Sequence, residues 1–139
     1  MIGIIVASHG PMAAGVVETS QWFFGEQPQL EALCLQPGQD LEEFDRLIRE
    51  AAERVDTGDG VLILCDLLFG TPCNRAALQI SEKIQVLAGM NLGVLLELLG
   101  SREYYEGSLK ELTAQSVDTA RKAIDDVGAL LEGRDPEYF

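Results

Sequence analysis

Ile2-Gly3-Ile4-Ile5-Val6-Ala7, running into Ser8-His9-Gly10-Pro11, is the stretch on which the reading of this chain turns. An apolar run without polar alternation predicts a strand covered on both faces, as in the interior of a parallel sheet. Ser8-His9-Gly10-Pro11 breaks that run, and a helical pattern follows. A strand handing over to a helix puts His9 at the carboxyl end of the first strand, where open α/β sheets keep their ligands and reactions. His9 is the only histidine in the chain. A lone imidazole does not make a metal cage, but it can accept a proton or a phosphoryl group.

Strand and helix patterns alternate outward from this point. Met12, Val16, Thr19, Ser20 and Phe23 share one helical face, and Gly25 ends that helix. A second strand is predicted at Leu30–Leu35, after which Pro37-Gly38 turns the chain. Asp40 with Glu43 reads as the start of a capped helix. Leu41, Phe44, Leu47, Ile48, Ala51, Ala52 and Val55 then mark its core face, with Glu42, Asp45, Arg46, Arg49 and Glu53 turned to solvent. Gly58-Asp59-Gly60 leads into Val61–Cys65, a second run without alternation. A helix near Pro72, a strand at Ile84–Ala88, a turn at Gly89-Met90-Asn91 and a helix at Leu92–Leu99 follow. The last clear helix carries Leu109, Leu112, Ser116, Val117 and Ala120. The expected fold is α/β, an open, doubly wound, mainly parallel sheet of order 2-1-3-4 with helices on both faces. At 139 residues the chain has the length of one domain. Its expected extent is residues 1–133, with 134–139 a frayed tail until Tyr138 and Phe139.

The net charge of −13 argues against nucleic acid or an anionic membrane as direct partner and favours a basic protein face. Cys34, Cys65 and Cys73 have no paired spacing and read as reduced thiols in a reducing compartment. No basic N-terminal region or membrane-length apolar run is evident, so the expected location is cytoplasmic.

With the order 2-1-3-4, the residue after the third strand, Asp66, reaches the crevice beside His9. A carboxylate accepting Nδ1–H would fix the imidazole tautomer, aim Nε2 outward and stabilise positive charge arising on attack. The plainer readings are a turn histidine and a capping aspartate; position at the strand ends favours the chemical one. Asp66-Leu67-Leu68-Phe69-Gly70-Thr71-Pro72-Cys73-Asn74 adds a candidate anion site. Thr71 reads as an N-cap, Pro72 as a first helical residue, and Gly70 as the place where backbone nears a ligand. Gly10-Pro11 repeats this at the first helix. Plain helix capping accounts for both without the histidine. Gly89-Met90-Asn91 is placed near the same crevice or as a simple cap, and Arg75 as a phosphate contact or a surface counter-charge.

These residues resemble the EIIA domain of the mannose-type sugar phosphotransferase system. The resemblance rests on Ile5-Val6-Ala7-Ser8-His9-Gly10, Asp66 with Gly70-Thr71-Pro72-Cys73-Asn74, Pro37-Gly38 and Gly89-Met90-Asn91. It implies a phosphocarrier that takes a phosphoryl group from phospho-HPr on Nε2 of His9 and passes it to an EIIB histidine. It also implies that Asp66 orients His9 and that Thr71, with nearby backbone of Gly10 and Gly70, holds the phosphate. A homodimer is implied too, with an antiparallel C-terminal strand crossing between subunits; Ala123-Ile124-Asp125-Asp126-Val127 occupies that place, or continues the preceding helix. No metal or organic cofactor is expected, and membrane contact would be indirect, through EIIC and EIID. Pro11 and the apolar Leu67-Leu68-Phe69 depart from the family pattern. Exposure of at least one of those three side chains would make them a docking patch. The chain ends without a Pro/Ala-rich linker or fused EIIB domain, so a separate EIIB protein is expected. Rival readings are the phosphotransfer subunit of phosphoenolpyruvate-dependent dihydroxyacetone kinase, a phosphorylated regulatory module, and, more remotely, a cysteine hydrolase.

Overall fold

The computed structural model describes residues 1–133; the predicted tail, with Tyr138 and Phe139, lies outside the described residues. Four strands, β1 (Gly3–His9), β2 (Leu30–Leu35), β3 (Val61–Cys65) and β4 (Ile84–Ala88), form one sheet in the order β2-β1-β3-β4. Every neighbouring pair is parallel, with Ile4 opposite Leu30 and Leu62, and Val61 opposite Ile84. The helices are α1 (Met12–Phe24), α2 (Leu41–Val55), α3 (Thr71–Ala77), α4 (Leu92–Ser101), α5 (Leu109–Lys122) and α6 (Val127–Leu131).

Both apolar runs became interior strands for the reason the sequence suggested. Side chains of a strand alternate between faces, so a run apolar at every position needs cover on both. Ile4, Val6, Leu62 and Leu64 enter one core, beneath α1, α4 and α5. Ile5, Ala7, Ile63 and Cys65 enter the other, beneath α2 and α3. Right-handed crossovers dictate this split: the chain steps from β1 to β2 in one direction, then back past β1 to β3, which sends α1 and α2 to opposite faces. Phe44 and Ile48 anchor α2 to the sheet, contributing about 1.5–3 kcal/mol each. Asp40 caps that helix by accepting the Glu43 amide at 3.2 Å.

Four local expectations are corrected. β1 continues through Ser8 and His9, so His9 is the last residue of the strand, paired with Leu35. The helical face of α1 is covered only in part: Ser20 is buried and Val16 and Thr19 half-buried, but Met12 and Phe23 are exposed, and Ala13, off that face, is buried. In the turn before the helix the buried Ser8 hydroxyl accepts the Ala13 amide at 2.7 Å, which draws Ala13 against the sheet. Asp45 is buried, not on a solvent face, because Arg75 of α3 reaches it. Finally, Ala123-Ile124-Asp125-Asp126-Val127 neither extends α5 nor forms a strand in the single chain. Ala123 closes α5, and Asp126 caps the short α6 by accepting the Ala129 amide at 3.2 Å. The strand that the resemblance implies would pair with a second subunit, not within one chain.

The end of the sheet opposite His9 is tied by Arg102. Its buried guanidinium donates to the carbonyls of Ile2, Pro28 and Gln29.

Candidate active site

Parallel pairing of β1 with β3, in which Ala7 faces Cys65, brings the residues that follow each strand together. Asp66 comes after β3 and turns its carboxylate back across the strand ends. One oxygen, Oδ2, accepts two hydrogen bonds from the same residue: the His9 amide at 2.9 Å and His9 Nδ1–H at 2.8 Å. An ionised carboxylate is an acceptor only, so Nδ1 must carry the proton and the lone pair of the neutral ring lies on Nε2. Burial pushes the Asp66 carboxyl upward, but the amide and ring hydrogen bonds from His9, joined by that ring's charge whenever it is protonated, outweigh it and hold the carboxyl below its ordinary value. The orienting group is therefore ionised at neutral pH. Asp66 is nine-tenths covered while the imidazole is half exposed, at 48%. The arrangement is an accessible ring nitrogen aligned from behind by a carboxylate, a geometry able to serve nucleophilic attack.

Two short turns hold the pair. Gly10 has φ +57°, a left-handed backbone that glycine adopts freely, and its amide donates to Leu35 O at 2.8 Å. Ser8, between its bonds to Ala13 N and Gly10 O, stitches β1 to α1. Ser8 is a site residue absent from the sequence-based expectation, although a hydroxyl between a strand and a helix is a capping signal.

The second turn is Leu67-Leu68-Phe69-Gly70, closed by the Gly70 amide on Leu67 O at 3.0 Å. A Cβ on Gly70 would lie 2.7 Å from His9 Cε1, so glycine is demanded by the closeness of the imidazole. Gly70, not Thr71, is the N-cap of α3; Thr71 is the first helical residue, and no side chain caps this helix. The expected Thr71 cap is corrected because Gly70 already supplies the extended backbone, φ −70° and ψ 163°, that a cap position requires. Leu67, Leu68 and Phe69 are all exposed, Phe69 at 79%.

A cleft of about 330 Å³ opens beside His9 and is bordered by Gly10, Thr71, Leu35, the Gln36–Gln39 loop and Leu41. It lies toward β2, on the side of β1 away from β3. Gln39 Oε1 accepts the Gln36 amide at 2.9 Å and braces that loop. The signal was available in the strand order, since β2 also borders β1. Gly89-Met90-Asn91 is absent from this lining. Asn91 caps α4 through the Val94 amide and donates to Ala120 O. A larger hollow of about 630 Å³, near Met1, Asp59 and Tyr105, sits at the amino ends of the strands, away from the end where this architecture places its chemistry.

Arg75 does not face the cleft. It forms a two-pronged ion pair with Asp45, with Nε 2.8 Å from Oδ1, and that pair lowers the Asp45 carboxyl despite its burial. Cys65 and Cys73 are both buried, and burial raises the Cys65 thiol far above its ordinary range, so a thiolate nucleophile is disfavoured there. Among the described residues, no three His, Cys, Asp or Glu side chains are grouped to hold a metal, and no helix is long and apolar enough to cross a membrane.

The chain is similar to known proteins of one family. The family described as "PTS system fructose IIA component" (EIIA-man) matches residues 3–117. The fructose-specific EIIA component of Bacillus subtilis is 31% identical over 134 residues, which cover 91% of this chain and 92% of that protein. The mannose-specific EIIAB component of Escherichia coli is 31% identical over 125 residues, 88% of this chain but 38% of that longer protein. The phosphotransferase system component EIIA of Streptococcus agalactiae superposes with a TM-score of 0.82 at 26% identity, over 93% of this chain and 99% of its own. A PTS IIA protein associated with the fucose utilization operon of Streptococcus pneumoniae gives 0.79 at 29% identity, over 93% and 95%.

Proposed function

Because the chain belongs to the mannose-type EIIA family of the sugar phosphotransferase system, we propose that it is a phosphocarrier working through His9. The donor is phospho-HPr and the acceptor an EIIB histidine. The observation that carries this reading is the Nδ1–Oδ2 bond of 2.8 Å, which leaves Nε2 of a half-exposed ring as the nucleophile. In the forward step Nε2 attacks phosphorus, the N–P bond of the donor histidine breaks, and its electron pair returns to the donor imidazole. Nδ1 keeps its proton throughout, and Asp66 opposes the positive charge that the ring gains. Transfer to EIIB repeats the displacement in the other direction.

Gly10, Gly70 and Thr71 border His9 and are the proposed phosphate contacts. Leu67, Leu68 and Phe69 form the proposed apolar docking patch for both partners. Residues 1–133 constitute the phosphocarrier domain in this reading, located in the cytoplasm as a homodimer and reaching the membrane only through EIIC and EIID. Neither metal nor organic cofactor is required for the displacement, and the acidic charge leaves no role for nucleic acid.

The test is incubation with phosphoenolpyruvate, Enzyme I and HPr. Acid-labile phosphate is expected on the wild-type chain and none on His9→Ala; an unlabelled wild type beside a labelled control EIIA refutes the reading. Offering the labelled protein to EIIB and to the nucleotide-binding subunit of dihydroxyacetone kinase then distinguishes transport from the kinase alternative.

A further inference from the structure

We propose that Asn74 is a positioning residue for His9, its side-chain amide locking the Leu67–Gly70 turn in the conformation that seats the imidazole. The proposal rests on the reading of His9 as the phosphoryl acceptor, and deepens it. Phe69 occupies the third position of a turn closed by the Gly70 amide on Leu67 O, and its φ is +65°. That position calls for a left-handed residue, normally Gly or Asn. A large aromatic side chain there is strained, and such strain survives only where neighbouring contacts enforce it.

Asn74 supplies the enforcement. Its Nδ2 donates to Phe69 O at 3.1 Å, while its backbone amide donates to Gly70 O at 2.9 Å. Two successive carbonyls of the turn are thus held by one residue in the first turn of α3. The peptide plane between Phe69 and Gly70 sets where the bare Cα of Gly70 sits, and His9 Cε1 lies against that spot, 2.7 Å from where a Cβ would be. The neighbouring ring atom, Nδ1, is bonded to Asp66. The Nδ1–Cε1 edge of the imidazole is therefore set by a carboxylate and by a glycine whose place depends on Asn74. Asn74 itself is exposed, so its side chain does not serve the core.

Without the side-chain bond, Phe69 is free to leave the left-handed region, a bias of roughly tenfold for an ordinary L-residue. Gly70 would then shift, and the ring would lose its fixed seat. Asn74→Ala is expected to lower kcat for phosphorylation by phospho-HPr about tenfold with KM little changed, the scale of one hydrogen bond. The thermal midpoint should stay near that of the wild type. In the unphosphorylated protein, the Nδ1–H resonance of His9 should broaden or vanish in nitrogen-15 NMR. Asn74→Asp, of the same size without the donor, should behave alike. Adding Phe69→Gly to Asn74→Ala should restore the His9 ring signals, because glycine adopts a positive φ without a clamp.

Unchanged His9 signals in Asn74→Ala would overturn the proposal, even if transfer slowed, since a docking or phosphate contact would then be at work. Failure of the Phe69→Gly rescue would overturn it as well. If Asn74→Ala does not fold, Asn74→Asp and the double variant carry the same readout. The NMR signature needs no phosphorylation, so a chain that fails as a phosphocarrier still tests the seat.

Discussion

Gly70→Ala offers a sharp test of how the site is built. The new methyl would stand 2.7 Å from His9 Cε1, 3.2 Å from Leu67 O and 3.3 Å from Leu67 Cβ. Carbon atoms pack at about 3.5–4.0 Å, so one neighbour must retreat by roughly 1 Å. The turn is held at both ends, by Gly70 N on Leu67 O and Asn74 N on Gly70 O. The half-exposed ring is the freer element and should swing outward. Its bond to Asp66, now 2.8 Å, would lengthen to about 3.8 Å and cease to be a hydrogen bond. A bond to a charged acceptor is worth about 1.5–3 kcal/mol, which corresponds to a roughly 10–150-fold fall in the rate of phosphoryl transfer. The backbone at Gly70, φ −70° and ψ 163°, suits alanine, so no dihedral strain confuses the result. The assay is the initial rate of His9 phosphorylation at saturating phospho-HPr, with thermal unfolding as the control. A rate within about twofold of wild type, on the same scale of tenfold per 1.36 kcal/mol, would refute the idea that the bare glycine aligns the imidazole.

Two further predictions concern the carboxylates. Asp66→Asn should slow transfer by roughly 10–150-fold, the range for losing a charged acceptor. It should also change the acid dependence of stability. The Asp66 carboxyl is depressed in the folded chain, so its stabilisation is full above the unfolded value near about 3.9 and fades as pH falls through the lower folded value. The stability gap between wild type and Asp66→Asn should therefore narrow below about pH 4 in thermal unfolding; a gap that widens on acidification contradicts the assignment. Asp45→Asn should cost about 1–3 kcal/mol by loosening α3 from α2, since it strands a partly buried Arg75. A double-mutant cycle with Arg75→Met measures the coupling in urea unfolding, and additive effects would show that the pair does not join the two helices.

The positions of several elements were legible because their signals are local. An apolar run with no alternation is informative wherever it occurs, and both β1 and β3 lie in the sheet interior as expected. The helical periodicity of α2 named Phe44, Ile48, Ala51 and Val55, all of which are buried. His9 and Asp66 were legible as a pair because strand order alone carries the ends of β1 and β3 to one crevice.

The rest depended on contacts between residues whose separation in sequence carries no period. At α1 the buried Ala13 lies off the face that periodicity picks out, and its amide is held by the Ser8 hydroxyl. Asp45 reads as a solvent residue until α3 brings Arg75 across the sheet face to meet it. The left-handed Phe69, the Asn74 clamp and the closeness of Gly70 to the imidazole belong to one turn, yet no residue pattern announces them. Burial preferences summed along a run of side chains therefore determined from sequence alone which segments are strands and at which end of the sheet the histidine stands. Only the tertiary structure decided how that histidine is held, because a hydrogen bond depends on tenths of an ångström between elements whose mutual placement is set by the packing of the whole chain.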